Sequence, residues 1–233
     1  NESRGIGKGT VRLEDFDKAD LIVVVGQNPG TNHPRMLSAL KSAKKSGASI
    51  LSINPLKETG MRRFRHPQSP IDMLGAGTQI SDDHVDIKVN GDMALFRAIG
   101  SIILDKGVHD MDFINLNTTG FLDYANIAKA VDWGLTEDLT GQSRDRIYEI
   151  SDYFCRSKRT IVCWAMGITQ HKNSVNTIRE IMNVLLLKGD IGREGSGPCP
   201  VRGHSNVQGD RTVGITHAPG SFFLEKLSKE FDI

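Results

Sequence analysis

The stretch LIVVVGQNPGTNHP, Leu21 to Pro34, decides the fold. Leu21 to Val25 is an unbroken apolar run, four of its five residues β-branched, and it stops at Gly26. A strand with one wet face alternates. A run without alternation is what a parallel strand covered on both faces requires. Residues 27–34 are loop material. Pro34 has the backbone angle of a first helical turn, and Met36, Leu37 and Leu40 then share one face of a helix reaching about Lys45. Gly47 stops that helix, and Ile50 to Ile53 is a second strand closed by Asn54 and Pro55. The unit is strand, helix, parallel strand.

Outward from this unit the alternation continues. Residues 57–70 are basic and irregular, residues 85–89 alternate as a short strand, and Asn90-Gly91-Asp92 leads into a helix over 93–105. Its core stripe is Leu95, Ile99, Ile102 and Ile103. Residues 110–138 read as helical pieces, clearest over 124–133, and residues 144–154 as a further helix. Thr160 to Trp164 is a third apolar strand, residues 167–172 are a loop, and residues 175–188 are a long amphipathic helix. Strands alternating with helices predict an α/β fold, a Rossmann-like doubly wound, mostly parallel sheet with helices on both faces. From Gly189 to Gly220 the chain carries eight glycines and three prolines, a composition of either a linker or a functional loop. The expected division is a Rossmann-like domain over 1–188, then a Gly/Pro-rich crossing and the start of a neighbouring domain over 189–233. Residues 222–231 read as the first turns of a helix.

The bulk numbers exclude several classes. The formal charge is +1, from 29 basic and 28 acidic side chains, which argues against nucleic acid or an anionic membrane as partner. No apolar run approaches the ~18 residues that span a bilayer. Residues 1–10 lack a secretory h-region, and with no initiator Met an N-terminal portion is expected to lie outside the sequence. Cys155, Cys163 and Cys199 form no CxxC pair, so no disulfide framework or iron–sulfur cluster is encoded in this segment, and a reduced, cytoplasmic protein is expected.

In an open parallel sheet, ligands sit at the carboxyl ends of the strands. The loops leaving that edge are 26–32, 54–55, 90–92 and 165–171, each of small or amide residues. Small residues let backbone N–H groups approach a phosphate, and amides match a heterocycle edge. There is neither a GxGxxG fingerprint nor a GxxxxGK[ST] loop, which disfavours an ordinary NAD site and a P-loop. Asn28 reads equally as the stabiliser of a tight turn. Asp92 is either a helix N-terminal acid or a carboxylate reading a guanine or ribose edge. Lys57, Arg62, Arg63 and Arg65 are either a solvated face or a diphosphate contact. His171 follows a strand with no second ligand nearby, so no metal is assigned. His33, His66, His84, His109 and His217 attract no role. The densest polar segment is VRGHSNVQGDRTVG, residues 201–214, which has little hydrophobic reason to fold and reads as a binding element.

These segments resemble a family. RGHSNVQG, Arg202 to Gly209, resembles the RGxNNVQG segment of molybdopterin-dependent formate dehydrogenases. LLLKGDIGREGSG, residues 185–197, is similar to their LTGNIGRxGxG run, and AMGITQH, residues 165–171, to their GxTQH loop. GQNPGTNHP resembles their GxNxxxxHP loop, and SINP, residues 52–55, stands where they have DPR. The resemblance is nearest to a formate-dehydrogenase-like branch reading CPVRGHSNVQGDRT, and it implies that the chain is an internal fragment. The resemblance implies a bis(molybdopterin guanine dinucleotide) cofactor, bis-MGD, with Mo or W, held between two Rossmann-like domains. By motif position, Gly26, Gln27, Asn28 and Pro29 would line the dinucleotide. Asn54 and Pro55 would sit near its nucleoside, and Gly91 and Asp92 near the guanine. Met166, Gly167, Thr169, Gln170 and His171 would approach the pterin and diphosphate, with Asn206 and Gln208 also lining the cofactor. Arg202, joined by His204, would hold an anionic substrate at the metal. A planar guanidinium makes two parallel charge-assisted bonds to a carboxylate.

The sequence departs from the family at Leu56, where DPR has Arg, and at His204 and Ser205, where Gln and Asn are usual. No residue is assigned as a metal ligand, and any iron–sulfur cluster would lie outside this segment. The expected activity is two-electron oxidation or reduction of a small substrate by the full-length protein. The isolated chain is expected to be inactive and to hold no intact cofactor. Expected partners are the small-molecule substrate, an electron-transfer protein and the remainder of the same chain. The alternative is a degenerate nucleotide- or pterin-binding module without turnover.

Overall fold

The computed structural model describes residues 8–204 and 206–232, with only the backbone of Ile71 and Met73. Five parallel strands form one sheet: β1 (Leu21–Val25), β2 (Ser49–Ile53), β3 (Asp83–Val85), β4 (Thr160–Trp164) and β5 (Gly197–Pro200), in the order β3-β2-β1-β4-β5. The chain returns to both sides of β1, so β1 and β4 diverge from the switch point of a doubly wound sheet, as expected.

β1 explains why. All five of its residues are at most 1% exposed. Leu21, Val23 and Val25 face the layer of helices Asp92–Asp105, Arg144–Arg156 and Ser174–Leu187, through Leu95, Ile99, Ile102, Ile147, Phe154 and Ile181. Ile22 and Val24 face Leu37 and Leu40 of helix Pro34–Lys45 and Phe16 of the 3-10 helix Leu13–Lys18. Burying such a side chain fully is worth about 1.5–3 kcal/mol, so a polar substitution on either face of β1 removes a contribution that its loops cannot replace. Caps end the helices where their side chains predict. Ser143 accepts from Arg146 N at 3.3 Å, and Gly47 closes the Pro34–Lys45 helix at φ +101°.

Four expectations need correction. The strand expected over 85–89 is Asp83–Val85, because Ile87 N donates to the Val85 carbonyl at 3.0 Å and folds the chain off the edge. The helix expected over 124–133 is two helices, Phe121–Lys129 and Trp133–Thr140, because Asp132 caps the second through Leu135 N at 3.0 Å. The loops over 27–34 and 167–172 contain single turns of helix, Pro29–Asn32 and Met166–Thr169, and the irregular 57–70 stretch contains Thr59–Arg62. Fourth, the Gly/Pro stretch supplies an edge strand, β5, with sequence GPCP. Val201 N donates inward to the Trp164 carbonyl at 2.8 Å. By strand alternation the nitrogens of Pro200 and Pro198 point outward, where a missing N–H costs no ladder bond. The outward carbonyl of Pro198 is taken by Thr10 N at 3.2 Å. No described helix is long and apolar enough to cross a membrane.

Candidate functional site at the carboxyl edge

The crevice begins where β1 and β4 end. Gly26 leaves β1 at φ +57°, its nitrogen donating to the Ile53 carbonyl at 3.0 Å. Gly167 N donates to the Gly26 carbonyl at 3.0 Å, and a Cβ on Gly167 would stand 2.5 Å from that oxygen. Only glycine fits at either position, so two strand ends meet as bare backbone. A second glycine contact lies beside it. A Cβ on Gly60 would fall 2.7 Å from Gly30 Cα, so the Thr59–Arg62 turn packs directly on the loop after β1.

Gln27 is 3% exposed. Its nitrogen lies 3.3 Å from His33 Nδ1 and donates to Met36 Sδ at 3.1 Å, while its Oε1 is buried with no described partner. Asn54 Nδ2 donates to the Gln27 carbonyl at 3.3 Å, joining the ends of β1 and β2. Asn28 acts locally: its oxygen caps Thr31 N at 3.1 Å and its amide donates to Glu58 at 2.5 Å. The side chain of Asn28 thus stabilises the tight turn, and its carbonyl accepts from Asn32 N at 3.0 Å. Pro29 is buried and Pro55 exposed.

Asp92 opens its helix 6% exposed, and burial pushes its carboxyl up to about 6, partly offset by the nearby His171. A charged carboxylate thus persists at neutral pH in a nearly dry place. Gly91 is required by packing, since a Cβ there would lie 2.6 Å from the Leu139 carbonyl. His171 Nε2 bonds the Gly167 carbonyl. Met166, Thr169 and Gln170 are exposed at the rim, and Met166 Sδ would lie 3.5 Å from a Cβ on Gly203, so the loops after β4 and β5 adjoin.

Arg202 stands two residues beyond the end of β5. Burial, and then the neighbouring Arg211, hold its guanidinium below the usual arginine range. Two cations brought together at a partly dry loop are a site an anion would relieve. His33 Nε2 lies 2.7 Å from the Arg202 carbonyl, tying the loop after β1 to the loop after β5. His204 is exposed, and Ser205 lies outside the described residues. Asn206 takes φ +53° before the Val207–Thr212 helix, and Gln208 Oε1 accepts from Gly9 N at 3.3 Å, away from Arg202. No cluster of three His, Cys, Asp or Glu among the described residues could hold a metal ion.

The geometry brings Gly26, Gln27, Asn54, Gly167, His171, Asp92 and Arg202 to one edge. It adds His33 and Arg211, which sequence reading left without roles. Arg211 lay inside the polar segment already singled out. His33 lay in the first loop, but its contact with Arg202 spans 169 residues of chain and leaves no local pattern.

Comparison with known proteins bears on this edge. A family model for molybdopterin oxidoreductases matches residues 3–226. The chain is 47% identical over 238 residues to the uncharacterized oxidoreductase Rv2900c of Mycobacterium tuberculosis H37Rv, covering 100% of this chain and 31% of that protein. It is 42% identical over 240 residues to protein YdeP of Escherichia coli K12, covering 98% and 32%. Formate dehydrogenase H of the same strain is 30% identical over 214 residues, covering 92% and 28%. Among solved structures, acetylene hydratase from Pelobacter acetylenicus matches with a TM-score of 0.67 at 17% identity, covering 81% of this chain and 23% of that one, a likeness of fold. The chain spans about a third of the length of its curated relatives.

Proposed function

Since this chain belongs to the molybdopterin oxidoreductase family, we propose that its carboxyl edge is one wall of a site for molybdopterin guanine dinucleotide, bis-MGD in the full-length protein, with Mo or W. When bound, the group supplies the two-electron chemistry at the metal and its dithiolenes. The observation that carries the reading is the Gly26–Gly167 contact, which presents backbone with no side chain over it at the switch point of the sheet. A long, phosphate-bearing ligand needs that close approach.

The neighbouring residues fit the same group. Gln27 Oε1 is a buried acceptor that a ligand N–H would satisfy. Asp92, mostly ionised at neutral pH, can accept both N–H groups of a guanine edge. Asn54, Pro55 and the Asn28–Pro29 backbone would flank the nucleotide, and Met166, Thr169, Gln170 and His171 would border the pterin and diphosphate. Asn206 belongs to the far rim, and Gln208 would act through the loop that it holds against Gly9.

Arg202 and Arg211 would hold and orient a small anionic or oxo substrate, with His204 at the mouth. Their work is positioning and charge stabilisation. The full-length protein would then oxidise or reduce that substrate by two electrons, drawing on an electron-transfer protein and on the remainder of its own chain, in the cytoplasm. The test is metal and nucleotide analysis of anaerobically isolated full-length protein. Molybdenum or tungsten together with released GMP is expected; finding neither overturns the reading.

A further inference from the structure

We infer that His33, held in its Nε2–H tautomer by Gln27, is a positioning residue that fixes the backbone from which Arg202 reaches the substrate. The inference rests on reading Arg202 as the anion-holding residue.

The direction of the hydrogen bonds follows from elimination. A backbone carbonyl only accepts, so His33 Nε2, at 2.7 Å from the Arg202 carbonyl, donates. In a neutral imidazole Nδ1 is then the acceptor. The only group on Gln27 that serves it is the amide nitrogen, which lies 3.3 Å away. The second amide hydrogen points to Met36 Sδ at 3.1 Å. Both Gln27 donors are thereby used, the amide orientation is set, and Oε1 is the one polar atom of the side chain left without a described partner. The reverse orientation, with Oε1 on the ring, would require a proton on both ring nitrogens. That would add a third cation to a place where Arg211 already disfavours the charge on Arg202.

The arrangement has a mechanical consequence. Arg202 leaves the sheet one residue after Val201, whose nitrogen is pinned to Trp164 at 2.8 Å. The Arg202 carbonyl is held by the His33 ring, seated on the loop after β1. Arg202 is therefore indexed to β4 through Val201 and to the loop after β1 through His33. A guanidinium that must meet an anion in bidentate geometry gains from a fixed origin, because misorientation is lost binding. His33→Leu deletes the donor; His33→Gln places a donor near the Nε2 position.

Two measurements test this separately. On the 233-residue chain, long-range 15N NMR of the imidazoles reads the His33 tautomer directly. The Nε2–H form is expected, and an Nδ1–H form, or a ring protonated on both nitrogens at pH 8, overturns the inference whatever the protein does. On full-length, cofactor-loaded protein, titration with formate as an anionic probe reads affinity, with metal and GMP content checked in each variant. We expect Arg202→Ala to abolish binding. His33→Leu should weaken it about 5–10-fold, as for loss of one neutral hydrogen bond, and His33→Gln should return it to within about 2-fold. Unchanged affinity in His33→Leu, with Arg202→Ala impaired, sinks the positioning role alone. No formate binding by the wild type, or unchanged binding in Arg202→Ala, sinks the reading of Arg202 itself.

Discussion

Asp92 and Asp190 are both buried acids, and they sit at opposite ends of the same sheet. Asp92 lies 6% exposed at the carboxyl edge beside His171, with its carboxyl raised to about 6 by burial. Asp190 lies at 0% exposure beside Thr160, the first residue of β4, with its carboxyl raised to about 7 by burial. The Thr160 backbone N–H and hydroxyl are its nearest polar neighbours, and they offset the effect of burial only in part. By perturbation alone Asp190 is the more suggestive group. By topology it is at the wrong end, since ligands of a doubly wound sheet gather where strands finish. A shifted acid is thus a functional candidate only where the architecture brings other ligand-facing groups to it. Asp92 has Gly26, Gln27, Gly167 and His171 at its edge; Asp190 has the underside of β4 and β5.

The largest expected effect is at Asp190. Its ordinary value of 3.8 is raised to about 7, so the folded state binds a proton that the unfolded state has already released. Stability contributed by the protonated form is therefore present below about pH 4 and lost as pH rises to about 7. Each tenfold change in proton affinity is worth about 1.4 kcal/mol, so the loss amounts to about 4 kcal/mol. Asp190→Asn removes the titration. Thermal unfolding between pH 4 and 8 should show the variant more stable than the wild type at pH 8, with a flatter pH dependence. Metal and GMP content of the full-length protein should be unchanged; loss of cofactor in this variant would break the contrast.

Asp92→Asn shares the sign with a smaller size. Its window closes near pH 6 rather than 7, corresponding to about 3 kcal/mol. The chain should gain stability at neutral pH, yet the full-length protein should lose bound GMP about tenfold, because an amide cannot accept both N–H groups of a guanine edge. Denaturation curves paired with GMP quantification separate the two aspartates. Equal GMP retention in both variants would show that Asp92 is no more a ligand group than Asp190.

The two ends of the sheet also differ in how legible they were in the sequence. β1 could be read because burial on both faces writes itself as an unbroken apolar, β-branched run, and β2 and β4 because short runs rich in Ile and Val end at turn residues. β5 could not, since Pro198 and Pro200 argue against a strand unless their nitrogens are known to face an edge. The candidate site could be proposed from sequence where chemistry is dense, at residues 26–30, 165–171 and 202–211. It was not legible where it depends on chain crossing, as in the Gly26–Gly167 and His33–Arg202 contacts. Asp92 could be read as an acid at a helix start; its burial and its neighbour His171 required the fold.

Glycines sharpen the comparison further. Gly167→Ala drives a Cβ to 2.5 Å from the Gly26 carbonyl, so the two strand ends must separate. Overpacking of this kind costs about 1–3 kcal/mol. The same separation should open the cradle, so cofactor retention should fall along with the melting temperature. A variant that is destabilised but fully loaded would mean that the contact serves packing alone.

Gly134→Ala is the control, with the smallest effect and the opposite sign. Gly134 lies inside the Trp133–Thr140 helix, where an added Cβ would meet only Asp132 Oδ1, at an unstrained 3.6 Å. Alanine there should add about 0.5–1 kcal/mol by restricting the unfolded chain, measurable as a small rise in the midpoint of chemical unfolding with cofactor content untouched. Both substitutions add one methyl to a glycine, so their difference isolates location. If Gly134→Ala also lowers cofactor content, the loss in Gly167→Ala reflects general sensitivity of the domain, and the carboxyl edge loses its claim to be special.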